Sequence, residues 1–325
     1  MKKIAWMVCA LFACALQSAE AQESEKGKGK VILTTFANMY SGFGANNEER
    51  GFELERAYIG YQYSFGNGLS MQAVADFGRS KEVQDMQRIG FIKNAWVRWQ
   101  KNGWDLYGGL ISTTQFKTQE DFWGKRYIMK SFQDEYKLGS SADVGLSVAY
   151  KFCDRVSADV IVVNGEGYKK IQFEHGLQYG AGVTLKPVDG MMVRLYGSYD
   201  EATDKGLKGK VNLASFLGYA KNGYSVGAEY NYQMNTAYHE GDHQNGVSVY
   251  ATVPAGKKVN VFARWDRLDS NNGWNREADG MNVMAGAEVK LGKYVKLAPN
   301  LRLNMPEDNG LKDAFQLMVN ASFKL

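Results

Sequence analysis

The stretch 141–152, "SADVGLSVAYKF", sorts its side chains by parity: Ala142, Val144, Leu146, Val148 and Tyr150 fall on one side, and Asp143, Gly145, Ser147 and Ala149 on the other. Successive side chains of an extended strand point to opposite faces, so the stretch reads as a ribbon with one apolar and one polar face. The rhythm recurs in "GYSVGAEYNYQ" (223–233), with Tyr224, Val226, Ala228, Tyr230 and Tyr232 opposed to Ser225, Gly227, Glu229, Asn231 and Gln233. It returns in "AFQLMVNASFKL" (314–325), where Phe315, Leu317, Val319, Ala321, Phe323 and Leu325 oppose Gln316, Met318, Asn320, Ser322 and Lys324.

Working outward from these ribbons, short and long connections alternate. The short ones are "SFGNG" (64–68), "KNG" (101–103), "FCDR" (152–155), "PVDG" (187–190), "KNG" (221–223), "PAGK" (254–257) and "LGKY" (291–294). Most supply the Gly, Asn or Asp that a tight hairpin needs. The long ones lie near 42–50, 79–90, 113–140, 164–176, 200–210, 236–245, 268–280 and 304–312, and all are polar. The count predicts about 16 antiparallel strands, an even number, as bacterial outer-membrane barrels have. So much strand is unusual for an ordinary globular domain. A closed membrane barrel accommodates it, because every backbone group pairs around the sheet and lipid solvates the outer face. A soluble sandwich would bury one face of each sheet and call for larger aliphatics than the Gly, Ala and Tyr found here. Composition agrees: 36 Gly and 19 Tyr against 4 Pro.

The N-terminus, "MKKIAWMVCALFACALQSAEAQ", has a cationic start, a short apolar run and an Ala-Glu-Ala site, and reads as a secretory signal peptide over residues 1–21. "LFAC" ending at Cys14 offers a lipoprotein reading, which the bulky Phe12 and the better site at Ala21 disfavour. Residues 22–30 then form a periplasmic tail and 31–325 the barrel. Only Cys153 survives cleavage, so no intrachain disulfide is expected. Lys2, Lys3 and Glu20 leave with the signal, taking the formal charge from +4 to +3, too small an excess to imply a nucleic-acid partner. With the exported start inside the periplasm, the short turns are expected there and the long loops outside. Tyr61, Tyr63, Phe65, Trp99, Trp104 and Tyr294 stand near short turns, where an interfacial aromatic girdle belongs. Pro299 interrupts "YVKLAPNLRLN" and predicts a bulge, an irregular strand end or a shifted boundary.

Motifs of enzymes and metal sites are weak. "HEGDH" (His239–His243) has H-E-x-x-H spacing, yet Gly241 lies within it and Asn245-Gly246 follow, leaving no room for the helix that would stack two zinc ligands. A solvated loop is the expectation, with adventitious metal binding by His239 and His243 as an extra. "DSNNGWN" from Asp269 breaks EF-hand spacing, Cys153 has no nearby His, and no nucleophile is matched to a base. No cofactor and no enzymatic activity are expected.

A barrel of about 16 strands is wide enough for a water-filled channel. Residues 113–141, the longest connection, mix Glu120, Asp121, Lys125, Arg126, Lys130, Asp134 and Glu135 with Phe116, Phe122, Trp123, Ile128 and Phe132. That mixture suits a loop folded inward as a constriction, aromatics to the wall and charges to the water; an external lid is the other possibility.

The succession "ELERAYIGYQYSFGNGLSMQAVADF", "FIKNAWVRWQKNGWDLYGGLIS" and "TQFKTQEDFWGKRYIMKSFQDEY" resembles the N-terminal third of the phosphate-selective porin O and P family, over residues 52–136. In that family an Arg-Ala-aromatic strand, a "KNAWV"-like strand and an "LYGG"-like strand lead into the constriction loop. The resemblance implies a 16-stranded, usually trimeric channel of the Gram-negative outer membrane for anions such as phosphate. The chain departs from many barrels by ending in Leu325 instead of an aromatic, which leaves recognition by the assembly machinery to Phe323.

Alternation points Arg56, Arg98, Arg194, Arg264, Lys296 and Arg302 inward, with Arg56, Arg194 and Arg264 nearest mid-height. It also points Asp76, Asp105, Asp143, Asp159, Glu229 and Glu288 inward. Both a polar wall laced with ion pairs and a basic anion path remain open. The expected function is passive diffusion of small hydrophilic solutes with a mild anion preference; the alternative is a plugged barrel acting as a surface receptor or anchor.

Overall fold

The computed structural model describes residues 27–44, 49–79, 88–170, 176–308 and 310–325, so the expected signal peptide and residues 22–26 of the tail lie outside the described residues. The described chain forms one closed antiparallel sheet of sixteen strands in which each strand pairs with its sequence neighbours and the last pairs with the first. The strands are β1 (Lys28–Gly44), β2 (Arg50–Gly66), β3 (Leu69–Arg79), β4 (Arg88–Lys101), β5 (Trp104–Ser112), β6 (Ala142–Cys153), β7 (Val156–Val163) and β8 (Gln178–Leu185). They continue as β9 (Met191–Asp200), β10 (Lys210–Lys221), β11 (Tyr224–Met234), β12 (Gln244–Pro254), β13 (Val259–Ser270), β14 (Gly280–Lys290), β15 (Val295–Pro306) and β16 (Ala314–Lys324). β1 opens at Lys28, which pairs with Ser64, so three residues assigned to the tail belong to the wall.

All seven short turns fall where the turn residues predicted. Three of them place an Asn-Gly pair in the left-handed region, at Asn67-Gly68, Asn102-Gly103 and Asn222-Gly223. This is the conformation a two-residue hairpin loop requires, and Asn and Gly adopt it at least cost.

The parity rule holds around the wall. On β9 Leu195 is exposed while Arg194, Tyr196 and Asp200 are buried; on β16 Phe315, Leu317 and Phe323 are exposed while Met318, Asn320 and Ser322 are buried. The apolar side therefore faces outward, the arrangement that hydrocarbon solvates. Trp104 stacks near Tyr150 (ring centroids 4.6 Å apart), Tyr150 near Phe152 (5.0 Å) and Tyr63 near Phe65 (4.9 Å), all beside short turns, as a girdle would. Leu195→Arg should destabilise the barrel by about 2–4 kcal/mol, the cost of an arginine facing lipid at mid-depth. Urea titration of the protein folded into lipid vesicles measures it, and an unchanged midpoint would refute the outward assignment.

Among the described residues four register shifts interrupt the ladders, two of them beside short turns (Ser64/Gly66 and Lys151/Cys153) and two within the wall. Phe36 pairs with Arg56 but Ala37 with Leu54, so Glu55 is an extra residue on β2; Val74 pairs with Asn94 but Ala75 with Ile92, so Lys93 is an extra residue on β4. Such bulges turn two consecutive side chains toward one face. Pro299 behaves differently from all three expectations: the β14–β15 ladder lapses between Gly286↔Asn300 and Val289↔Leu297 and resumes in the same register. Pro299 lacks the N–H for one rung, and its pairing with Val319 of β16 keeps the strand in line.

Candidate functional site

Residues 113–141 leave β5, enter the barrel and return to β6. Within them lie α1 (Lys117–Trp123) and α2 (Phe132–Glu135), short helices joined by a tight segment. Trp123, Tyr127 and Ile128 are buried in one apolar cluster with Phe36 of β1, Phe216 of β10, Tyr250 of β12, Phe262 of β13, Met284 of β14 and Ala298 of β15. Inward-facing glycines make room for the rings. A Cβ on Gly218 would come within 2.6 Å of the Phe122 ring, and one on Gly246 within 2.2 Å of the Phe132 ring.

Polar side chains of the wall hold the segment by its backbone. Arg194 donates to the Thr114 carbonyl (2.7 Å), Arg264 to that of Lys130 (2.5 Å), Gln233 to that of Leu138 (2.9 Å) and Asn320 to that of Tyr127 (3.2 Å), and Arg302 donates to the Ile128 carbonyl. In return Lys125 donates to Thr252 Oγ1 at 2.7 Å and Tyr127 to Glu288 at 2.9 Å. These bonds satisfy loop backbone groups that no sheet ladder serves, which buried backbone demands.

The arginines picked out by parity are thus divided by environment. Arg194 also makes a forked pair with Asp159 (2.7 and 3.0 Å), and Arg264 a forked pair with Asp266; their side chains are only 3% and 1% exposed. With Arg302 they fasten the loop. Arg98 is half-buried near a short turn in a forked pair with Asp105 (2.7 and 2.6 Å), and Lys296 pairs with Glu288 (3.2 Å). Arg56, 15% exposed, lies 3.4 Å from Asp76 and donates to the Tyr58 hydroxyl at 2.9 Å. The Asp143 carboxylate accepts the N–H groups of Val144, Gly165 and Gly167. Glu229 is buried beside Asn231 (3.3 Å).

The loop's own charges form two groups. Arg126 bonds both Glu120 and Asp134, whereas Asp121 points away and pairs with Lys117. Burial opposes the Arg126 charge, yet the two carboxylates beside it raise its pKa well above the ordinary value. Burial likewise works against ionised Asp134, but Arg126 outweighs it and holds that carboxyl below the usual range. Lys125, beneath Trp123 and Phe262, is lowered by burial, with Glu288 opposing.

The apolar side of the loop packs on β1, β10 and β12–β15. A cavity of about 550 Å³ opens above the loop, lined by Arg56, Arg126, Lys130, Lys137, Tyr168, Lys169, Lys170, Lys210 and Tyr238, with Asp134 and Glu166 as its acids. A second, of about 520 Å³, opens below it, lined by Gln72, Trp96, Tyr107, Asp159 and Arg194 among others. Between them Lys93 reaches inward, donating to Ser141 Oγ (2.9 Å) and standing over the Tyr58 and Tyr168 rings (5.7 and 4.9 Å). Parity reasoning missed Lys93 and Glu55. The sequence does carry a trace of both bulges. Apolar positions run on even numbers at Phe52 and Leu54 and on odd numbers at Ile59 and Tyr61, and a similar slip separates Ile92 from Val97.

Residues 239–243 form no helix. Thr236–Tyr238 make a single tight turn, His239 is extended and β12 begins at Gln244. His239 lies 3.4 Å from Asp242, and His243 Nδ1 accepts the Asn235 N–H at 3.4 Å. Among the described residues no group of three His, Cys, Asp or Glu is placed to share a metal ion.

No protein-family model and no curated protein matches the sequence. Solved structures do. The anion-selective porin from Comamonas acidovorans superposes with a TM-score of 0.71 at 12% identity, covering 92% of this chain and 100% of that one. Salmonella typhi OmpF, in complex with daunomycin, gives 0.72 at 13% identity over 92% and 98%. The outer membrane channel DcaP of Acinetobacter baumannii gives 0.70 at 10% over 94% and 99%. At such identities the likeness is one of fold, and this chain has the closed sixteen-stranded fold of the outer-membrane porins.

Proposed function

We propose that this protein is an outer-membrane channel of a Gram-negative envelope, exported by residues 1–21, through which small hydrophilic solutes diffuse with a preference for anions. The observation that carries the preference is the charge around the upper cavity, where Arg56, Arg126, Lys130 and Lys137 outnumber Asp134 and Glu166. A narrow, low-dielectric passage magnifies such an excess, drawing anions in and repelling cations. Guanidinium groups add forked donors that suit phosphate-like oxyanions, the solute class implied by the resemblance of residues 52–136 to the phosphate-selective family. Glu120, Arg126, Lys130 and the wall residue Arg56 form the narrow part, while Arg194, Arg264 and Arg302 keep the loop seated. The protein works as a homotrimer in this reading; a structurally similar protein, OmpT of Vibrio cholerae, is described in a trimer form.

Purified protein in planar bilayers under a tenfold KCl gradient tests this. Discrete conductance steps and a reversal potential of the anion-selective sign are expected, with added inorganic phosphate reducing the chloride current. Silent bilayers would reject the channel; a reversal potential of cation sign would reject the preference.

A further inference from the structure

Residues 164–170, in the fourth long connection, also enter the mouth of the barrel. Positive φ angles at Gly165 (107°) and Gly167 (87°) fold it back, and the Asp143 carboxylate accepts both of their N–H groups, at 2.7 and 3.1 Å. The Tyr168 N–H then donates to the Ala142 carbonyl at 3.0 Å. Held this way, Tyr168 reaches across to β3 and its hydroxyl donates to Asp76 Oδ2 at 2.7 Å. Phe91 of β4 meets the ring edge-on at 6.2 Å, and the Lys93 ammonium stands 4.9 Å from its centroid. Asp76 is 2% exposed behind this ring, while Arg56, its ion-pair partner, lines the cavity together with Tyr168.

We propose that Tyr168 is a specificity-determining residue of the passage: it covers the Asp76 carboxylate, so that a solute beside this wall meets the Arg56 guanidinium and not the acid paired with it. The inference rests on the proposed reading that this wall borders a conducting path. Asp76 fixes Arg56 in place, and an uncovered carboxylate would cancel the guanidinium's field for any ion close to both. Tyr168 separates the two effects by keeping the anchor while holding ions a ring's width away from its charge. Burying a carboxylate is costly unless it is paired and hydrogen-bonded, and Arg56 and the Tyr168 hydroxyl supply both conditions.

The test is a double-mutant cycle read as the anion-to-cation permeability ratio in bilayers. Tyr168→Ala should lower the ratio about threefold, the effect of one charge a few ångströms from the ion path in a watery pore, and should raise conductance. Asp76→Asn should change the ratio by less than about twofold with Tyr168 present and restore it when Tyr168 is alanine. Equal effects of Asp76→Asn in both backgrounds, in a wild type that conducts anions, would overturn the inference and leave the channel reading intact. A second measurement needs no conduction. In a Cys153→Ser background, Asp76→Cys should react with a cationic methanethiosulfonate about tenfold faster once Tyr168 is alanine, since thiol reactivity follows access. Equal rates would sink the covering role whatever the pore conducts.

Discussion

Trp123→Ala should release the loop from the wall, and trypsin should then cleave at Lys125, Arg126 and Lys130 at least about 100-fold faster than in the parent protein. The Trp123 ring is 2% exposed, 5.1 Å from Tyr250 and 6.2 Å from Phe262, with the Arg264 guanidinium 5.3 Å from its centroid and its Nε1–H donating to the Met129 carbonyl at 2.8 Å. Truncating a buried tryptophan typically costs about 3–5 kcal/mol. The barrel does not share that cost, because its ladders close without the loop. The loss therefore falls on the seated state of 113–141, and each 1.4 kcal/mol raises the released population about tenfold. Proteolysis follows that population when seating is fast. In bilayers the same variant should flicker, as a loop no longer fixed to the wall wanders across the lumen. Gly246→Val, which places carbon where the Phe132 ring lies, should act in the same direction at a second contact, where Phe132 packs with Leu138 and Leu268. Parental protease resistance in both variants would show that these apolar contacts do not seat the loop.

Arg126→Gln should shift the reversal potential toward cations by more than the loss of one exposed charge would. Glu120 and Asp134 share this guanidinium inside the barrel, so removing it takes a triad with one net negative charge to two unscreened carboxylates. Breaking a buried ion pair from one side costs about 3–5 kcal/mol because the abandoned charge stays behind. That strain should also loosen the loop. Glu120→Gln combined with Asp134→Asn shifts selectivity the other way, leaving Arg126 as an unpaired cation. The triple variant, neutral throughout, distinguishes charge from packing: its reversal potential should lie between the two. A shift of the same sign from Arg126→Gln and from the double carboxylate variant would mean that pore shape, not charge, sets the preference.

Parity overestimated some arginines and overlooked other groups, for identifiable reasons. It correctly turned Arg194, Arg264 and Arg302 inward. It could not tell that loop carbonyls would occupy their guanidiniums, since those carbonyls lie 80, 134 and 174 residues away along the chain. Counted along one strand, Lys93 and Glu55 pointed outward; bulges set by pairing with β3 and β1 brought them in. The slip of apolar positions around Glu55 and Lys93 was the available clue, legible only once a barrel was assumed. Tyr168 carried no clue, because nothing near it in sequence announces that its partner is Asp76, 92 residues upstream.

The amino-acid order alone specified the sixteen ribbons, the turns between them and the apolar outer surface. Each of these follows from the pleat of a strand or from the φ preferences of Asn and Gly, properties that span only a few neighbouring residues. Which charges meet water and which are spent on fastening 113–141 emerged only when the sheet closed on itself. Closure fixes distances across the lumen between residues that no local rule relates, and those distances assign every inward arginine its partner.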